Sequence, residues 1–298
     1  MAEITLLDGS IGQELVKRSG DTPTGLWSTQ VMIDRPALVR DVHASYFDVG
    51  ATVATANTYA VLRDRLRRVG IEAHFETLLS TAMITAGEAR DAAGGGRVAA
   101  ALGPLNASYR PDIFPPPGEA QKIYAEIVDH VKDHADILLI ETVTSVDHAE
   151  GSLRATDEAD KPVWLAISTD DFDGTVFRSG EKLADVASVV ANHRVDAVLL
   201  NCSRPEVVGD GLEVIKSFGK PFGAYANGFT KISDGFKQEF PTVDALTERT
   251  DLGPGPYAEF AMGWVAQGAT IVGGCCEVGP EHIAELARQL RDAGHIIV

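Results

Sequence analysis

No run of about 18 apolar residues occurs in this 298-residue chain, so the sequence offers no helix able to cross a bilayer. The opening Met1-Ala2-Glu3-Ile4-Thr5 lacks the positive flank and apolar stretch of a secretion signal, and the expected location is cytoplasmic. Positive charge is scarce: 26 Lys and Arg stand against 43 Asp and Glu, a net charge of −17. Proteins that hold nucleic acid without sequence preference need basic patches to neutralise phosphates, so no nucleic-acid partner is expected. Attachment to an anionic membrane surface is disfavoured for the same reason. Three cysteines are too few, and an odd number, for a disulfide framework. Cys275 and Cys276 are neighbours, where a mutual disulfide is strained, and the thiols are expected to be free, buried or metal-bound. No G-x-G-x-x-G turn follows an early strand, and no short solenoid repeat is present.

What the chain does have is a 45% hydrophobic composition, ordinary for a globular protein, arranged in a regular order. Eight short apolar runs recur at 4–8, 51–56, 97–102, 137–141, 163–168, 197–201, 222–226 and 270–274. Each has strand length and little polar alternation, as strands covered on both faces require. Between them apolar residues return every three or four positions: Ile123, Tyr124, Ile127, Val128 and Val131; Leu183, Val186, Val189 and Val190; Ile283, Leu286, Ala287 and Leu290. Further helices are expected near 36–49, 72–92, 146–158, 205–217 and 256–267. Pro280 suits a first helical turn, and the last helix is expected to finish near Ala293. Eight strand–helix units predict an α/β fold, a (β/α)₈ TIM barrel forming one domain over 1–298. Helix-to-strand connections are short. The strand-to-helix segments 9–35, 103–118, 169–181 and 227–255 are long, and in a barrel they gather at the C-terminal ends of the strands, where active sites sit. The last is expected to be a lid or wall of the site rather than a second domain.

All three cysteines fall at that same end: Cys202 after the sixth strand, Cys275 and Cys276 after the eighth. Three thiolates suit Zn²⁺ and would leave one position open, as in a catalytic site. Successive strand side chains point to opposite faces, so adjacent ligands need a turn that Gly273 and Gly274 can supply. The alternative is that the cysteines are small apolar fillers, a common fate of free Cys. The histidines, including His43, His130, His134 and His282, fall in helical segments and are not assigned as ligands.

These residues together resemble the homocysteine S-methyltransferase family, the group that includes S-methylmethionine- and betaine-dependent enzymes. The resemblance runs over nearly the whole chain. It rests on Asp8-Gly9, Asn57-Thr58-Tyr59, Glu141-Thr142, Asn201-Cys202, Gly273-Gly274-Cys275-Cys276 and Pro280-Glu281-His282-Ile283. Ser10 departs from the second glycine that many members carry there. The resemblance implies a barrel with zinc on Cys202, Cys275 and Cys276, and homocysteine as methyl acceptor. It implies that Glu141 holds the ammonium of homocysteine, with Asp8 assisting and Gly9 permitting close approach. For Asp8 the other reading is a loop cap, and for Glu141 a rim ion pair. Asn57 and Asn227 are further substrate-binding candidates, although Asn at strand ends is common in turns. Trp27 and Tyr59 lie in mouth loops, where an aromatic face could meet a cationic donor or simply pack. Tyr225 is assigned to barrel packing.

The function expected is zinc-dependent methyl transfer from a cationic donor, S-methylmethionine or a related sulfonium, to the thiol of L-homocysteine, giving methionine. Betaine, a thetin-type sulfonium or S-adenosylmethionine are alternative donors. A non-catalytic zinc- or thiol-binding protein is the alternative from another class. A complete cobalamin-dependent synthase would need further domains. A homo-oligomer is compatible with the sequence.

Overall fold

The computed structural model describes residues 1–21, 24–233, 235, 237 and 246–298. Its strands are β1 (Glu3–Leu6), β2 (Val53–Ala56), β3 (Arg97–Leu102), β4 (Ile137–Val143), β5 (Val163–Ile167), β6 (Ala197–Asn201), β7 (Phe222–Tyr225), β8 (Ile271–Val272) and β9 (Ile296–Ile297). All neighbours pair in parallel, in the order β2-β3-β4-β5-β6-β7-β8-β1-β9. The ring closes between β1 and β2: Thr52 N donates to Leu6 O (2.7 Å) and Asp8 N to Val53 O (3.2 Å). The result is the (β/α)₈ barrel that the alternating pattern predicts.

The period of two within each strand divides the core. Leu7, Val53, Ala99, Ile137, Leu139, Trp164, Ala166, Ala197, Leu199 and Ile271 form one buried cluster within the ring. Their neighbours Leu138, Ile140, Leu165, Val198 and Leu200 belong to the larger cluster shared with the helices. That is why the strands read as continuous apolar runs: both faces are covered.

The helices are α1 (Ile11–Ser19), α2 (Ser28–Asp34), α3 (Pro36–Val49), α4 (Arg63–Arg68), α5 (Phe75–Ala92), α6 (Pro117–Val131), α7 (Val146–Thr156), α8 (Ala187–Asn192), α9 (Pro205–Lys216), α10 (Pro254–Gln267) and α11 (Pro280–Asp292). Proline occupies the first turn of α3, α6, α9, α10 and α11, where its missing N–H costs nothing. Among the described residues no helix is long and apolar enough to cross a membrane.

The structure departs from the sequence reading in three places. The segment 9–35 is not mainly loop: α1 and α2 fill it, α1 beginning where the Ser10 side chain accepts from Gln13 N. The eighth strand is two residues long, because Gly273 and Gly274 already belong to the turn that follows. A Cβ on Gly273 would meet Leu7 Cβ at 2.4 Å, and one on Gly274 would meet Val278 Cγ1 at 2.1 Å. A ninth strand, unforeseen, pairs Ile296 and Ile297 with Glu3 and Ile4, at the end of the barrel opposite the mouth. Of the expected lid at 227–255, residues 234, 236 and 238–245 lie outside the described residues. Its described ends pair through Thr230 N to Thr247 O (3.0 Å) and Arg249 N to Gly228 O (2.8 Å).

Gly9 is fixed by proximity. A Cβ there would stand 2.0 Å from the carbonyl oxygen of Val278, which also accepts from Ser10 N (2.9 Å). Gly9→Ala must push the first and eighth mouth loops apart. It is expected to cost about 1–3 kcal/mol, read as a lowered denaturant midpoint at unchanged m-value; an unchanged midpoint would contradict this packing.

Candidate active site

The three cysteines meet at the mouth, with their sulfurs all within 4.8 Å of one another. Cys202 directly follows β6 and adopts φ +48°, a left-handed conformation that costs a non-glycine residue energy. Its carbonyl is held by Asn227 Nδ2 (2.9 Å), Arg178 Nη2 (3.1 Å) and Ser168 Oγ (3.2 Å). Cys275 and Cys276 lie on the turn after Gly274, pinned by Cys275 N to Ala226 O (2.9 Å) and Gly228 N to Cys276 O (2.7 Å). The turn, rather than a strand, lets consecutive sulfurs reach the same space.

Cys202 and Cys275 are joined as a disulfide, and Cys276 remains a free thiol. This corrects the expectation of three unpaired thiols. An odd, small cysteine count argues against a disulfide framework, but not against one local bond where three sulfurs converge. The Cys276 sulfur lies 4.0 Å from each of the other two. Tetrahedral zinc with sulfur at 2.3 Å requires sulfurs about 3.8 Å apart. Two of the three spacings already match, and reduction of the disulfide frees the third. Burial pushes the Cys276 thiol up to about 12, so a thiolate there calls for a cation beside it. The donor set therefore fits a thiophilic metal.

Beside the sulfurs stand two buried carboxylates. Asp8, one residue past Leu7, accepts from Thr55 N (2.6 Å) and Thr55 Oγ1 (2.8 Å). Glu141, in β4, accepts from the Tyr225 hydroxyl at 2.9 Å. Burial raises Asp8 to about 7 against the pull of the Thr55 hydrogen bonds. Burial also raises Glu141 to about 7, with the Tyr225 bond opposing and the charge of Asp8 adding to the rise. The two buried carboxylates thus disfavour each other's charge.

That frustration is measurable. Folded Glu141 keeps its proton up to about pH 7, whereas in the unfolded chain it ionises near 4.5. Stability is therefore lost as pH rises through that window and stays lost above it. In reduced, chelator-treated protein, Glu141→Gln should gain about 1–3 kcal/mol over wild type at pH 8 and nothing at pH 4. Parallel denaturation curves at both pH values test this, and a variant equally or less stable at pH 8 would refute it.

The cavity at the mouth is lined by Asp8, Gly9, Trp27, Asn57, Tyr59, Glu141, Tyr225 and all three cysteines. Asn57 is tied to α2, its Oδ1 accepting from Ser28 Oγ at 2.6 Å. The Tyr59 hydroxyl bonds Ser108 Oγ at 2.9 Å, and the Arg65 guanidinium lies 5.8 Å from its ring centre. Trp27 packs with Tyr109, Ile232 and Leu246 against the cysteines. Asn227 is not on the cavity wall; it holds Cys202 O and accepts from Phe229 N (3.1 Å). Sequence reasoning overlooked the Tyr225 hydroxyl on Glu141 and the pairing of Thr142 with Asn201, whose Oδ1 accepts from Thr142 N (3.1 Å). It also overlooked Arg178. The inward phase of β7 could have pointed to Tyr225; no motif marks Arg178.

Among the described residues, non-glycine residues with positive φ are confined to this end. They are Trp27, Asn106, Tyr109, Thr142, Cys202 and Glu277, each at or after the C-terminal end of a strand.

The three convergent sulfurs and two buried carboxylates lie at the C-terminal ends of the strands, where (β/α)₈ enzymes carry their active sites. The chain belongs to the homocysteine S-methyltransferase family, whose model matches residues 5–290. It is therefore a methyltransferase that acts on homocysteine and gives methionine. Among its relatives are the homocysteine S-methyltransferase YbgG of Bacillus subtilis, 26% identical over 97% of this chain and 95% of that protein. Homocysteine S-methyltransferase 3 of Zea mays is 27% identical over 97% and 91%. Crystal structures of the Escherichia coli homocysteine methyltransferase MmuM, in metallated and in oxidised form, each match at TM-score 0.80 and 26% identity over 96% of both chains. The metallated form and the cysteine cluster here both indicate a metal site.

Proposed function

We propose that this protein transfers a methyl group from a sulfonium donor to L-homocysteine, with zinc on Cys202, Cys275 and Cys276. The observation that carries the reading is the placement of three convergent sulfurs beside two buried carboxylates on one cavity wall. Zinc held by Cys202, Cys275 and Cys276 would supply a positive charge that favours the thiolate form of a nearby substrate thiol at neutral pH. Asp8 and Glu141 receive the substrate ammonium, which replaces their mutual repulsion with two opposite-charge contacts. Tyr225 keeps the Glu141 carboxylate oriented, and Thr55 does the same for Asp8. Gly9 lets the amino-acid end of the substrate approach the backbone. The substrate sulfur then lies between the metal ligands and the aromatic wall.

The reaction is one displacement. A lone pair on the homocysteine sulfur forms the new S–CH₃ bond as the methyl–sulfonium bond breaks, and its electrons neutralise the departing thioether. Holding both partners in line removes the entropy cost of their encounter. Trp27 offers an aromatic face to the donor cation, a contact worth about 0.5–2 kcal/mol. Tyr59, with the Arg65 guanidinium 5.8 Å from its ring centre, is the second aromatic of the wall.

S-methylmethionine is the leading donor: a sulfonium releases methyl more readily than a quaternary ammonium. At fixed homocysteine, kcat/KM with S-methylmethionine is expected to exceed that with dimethylsulfoniopropionate, S-adenosylmethionine and betaine, with methionine read by mass spectrometry. A preference for betaine over all three sulfonium compounds would overturn the donor assignment. Absence of methionine with every donor, in zinc-loaded reduced protein, would overturn the function.

A further inference from the structure

One side chain outside the cysteines ties the mouth together. Arg178 lies in the segment between β5 and α8 and is nearly sealed from solvent, its side chain 7% exposed and that of its partner Asp171 8% exposed. A single guanidinium reaches three acceptors: Ser168 Oγ from Nε (2.8 Å), Asp171 Oδ1 from Nη2 (2.9 Å) and Cys202 O from Nη2 (3.1 Å). The other Asp171 oxygen accepts from Ile232 N (2.8 Å), in the segment after β7. The Tyr109 ring, in the segment after β3, lies 4.8 Å below the guanidinium. Arg178 thus joins the segments that follow β3, β5, β6 and β7.

The geometry points to Arg178 as the positioning residue of the metal site. Cys202 follows a strand that would carry its side chain onward in the extended alternation, yet it stands at φ +48°. In that conformation its carbonyl turns toward Arg178, Ser168 and Asn227, and its sulfur is left to meet Cys275 and Cys276. Three donors on one carbonyl offset the cost of the left-handed backbone. Arg178 is the charged one of the three, and it also donates to Ser168, which is itself a second donor to that carbonyl. The buried pair with Asp171 keeps the guanidinium from turning away. A planar fork is required; one ammonium could not serve Ser168, Asp171 and Cys202 at these spacings. The role is to hold the Cys202 backbone in place, so that when the bond to Cys275 is reduced its sulfur stays beside the other two before any metal arrives.

This inference rests on the metal-site reading above, and the experiment separates the two. Zinc affinity is measured on reduced, full-length protein by competition with a chromophoric chelator, alongside thermal unfolding of the metal-free form. Wild type should take one zinc. Arg178→Gln should bind zinc about ten- to hundredfold more weakly, the cost expected when a partner that orients a ligand is lost. Arg178→Lys should remain weakened despite keeping the charge. Arg63→Gln breaks a pair with Glu126 away from the cavity and controls for loss of stability alone. It should lower the unfolding temperature and leave zinc affinity unchanged. Wild-type zinc affinity in Arg178→Gln, or full recovery in Arg178→Lys, would overturn the positioning role while leaving the metal site standing. A weakening in Arg63→Gln equal to that in Arg178→Gln would assign the effect to stability and overturn it as well. Failure of wild type itself to bind zinc would overturn both readings.

Discussion

Cys276→Ala should abolish methyl transfer, lowering kcat/KM by about a thousandfold or to the detection limit, and should strip the zinc from the purified protein. The loss exceeds the ten- to hundredfold that follows removal of an orienting partner, because a ligand atom itself disappears. The free thiol of Cys276 lies 4.0 Å from both other sulfurs, so its removal leaves only the two that can close on each other as a disulfide. The barrel should be untouched, since the cysteine sits in a mouth turn and not in the strand or helix layers. Far-UV circular dichroism and elemental analysis on the same sample check both halves. A Cys276→Ala protein with a full complement of zinc and wild-type turnover would remove the metal from the mechanism.

Glu141→Ala should keep its zinc and lose its grip on homocysteine. A charge-assisted hydrogen bond contributes about 1.5–3 kcal/mol, so Kd should rise about 10- to 150-fold. The signature lies in the ligand rather than in the enzyme. 4-Mercaptobutanoate has the thiol and carboxylate of homocysteine without the ammonium. Wild type should bind it far more weakly than homocysteine, whereas the variant, left with Asp8 alone for the ammonium, should favour homocysteine by a clearly smaller factor. Calorimetry with both ligands on both proteins gives the coupling directly. A variant that still distinguishes them as strongly as wild type would place the ammonium elsewhere.

The contrast between what was legible and what was not follows from range. The barrel could be read because burial on both faces forces an apolar run of strand length eight times over, and helical spacing fills the intervals. The short α1 was masked by its place after Asp8-Gly9, yet Ser10 and Gln13 have the spacing of a helix-start pair. The ninth strand left no signal, because Ile296 and Ile297 are two residues paired with a strand nearly three hundred positions away. The same limit applies to the site. Cysteines at strand ends declare themselves by type, and so does a strand-end carboxylate. The Tyr225 hydroxyl reaches Glu141 across 84 positions, and Arg178 reaches Cys202 from a loop whose local sequence has no motif. Periodicity tells which side of a strand faces inward; it does not tell which inward group another will touch.

The left-handed residues at the mouth have a consequence for anyone adapting the protein. Trp27, Tyr109, Thr142 and Cys202 all line the cavity in conformations that glycine would accept more readily. A selection for heat resistance alone would find its easiest gains there, because relieving such strain is a cheap route to a higher melting temperature. Each gain would loosen a wall that holds reactants, and the survivors would be durable and inert. A library meant to harden this enzyme should therefore spare the rim and be confined to the outer helices and the far end of the barrel, where β9 closes the seam.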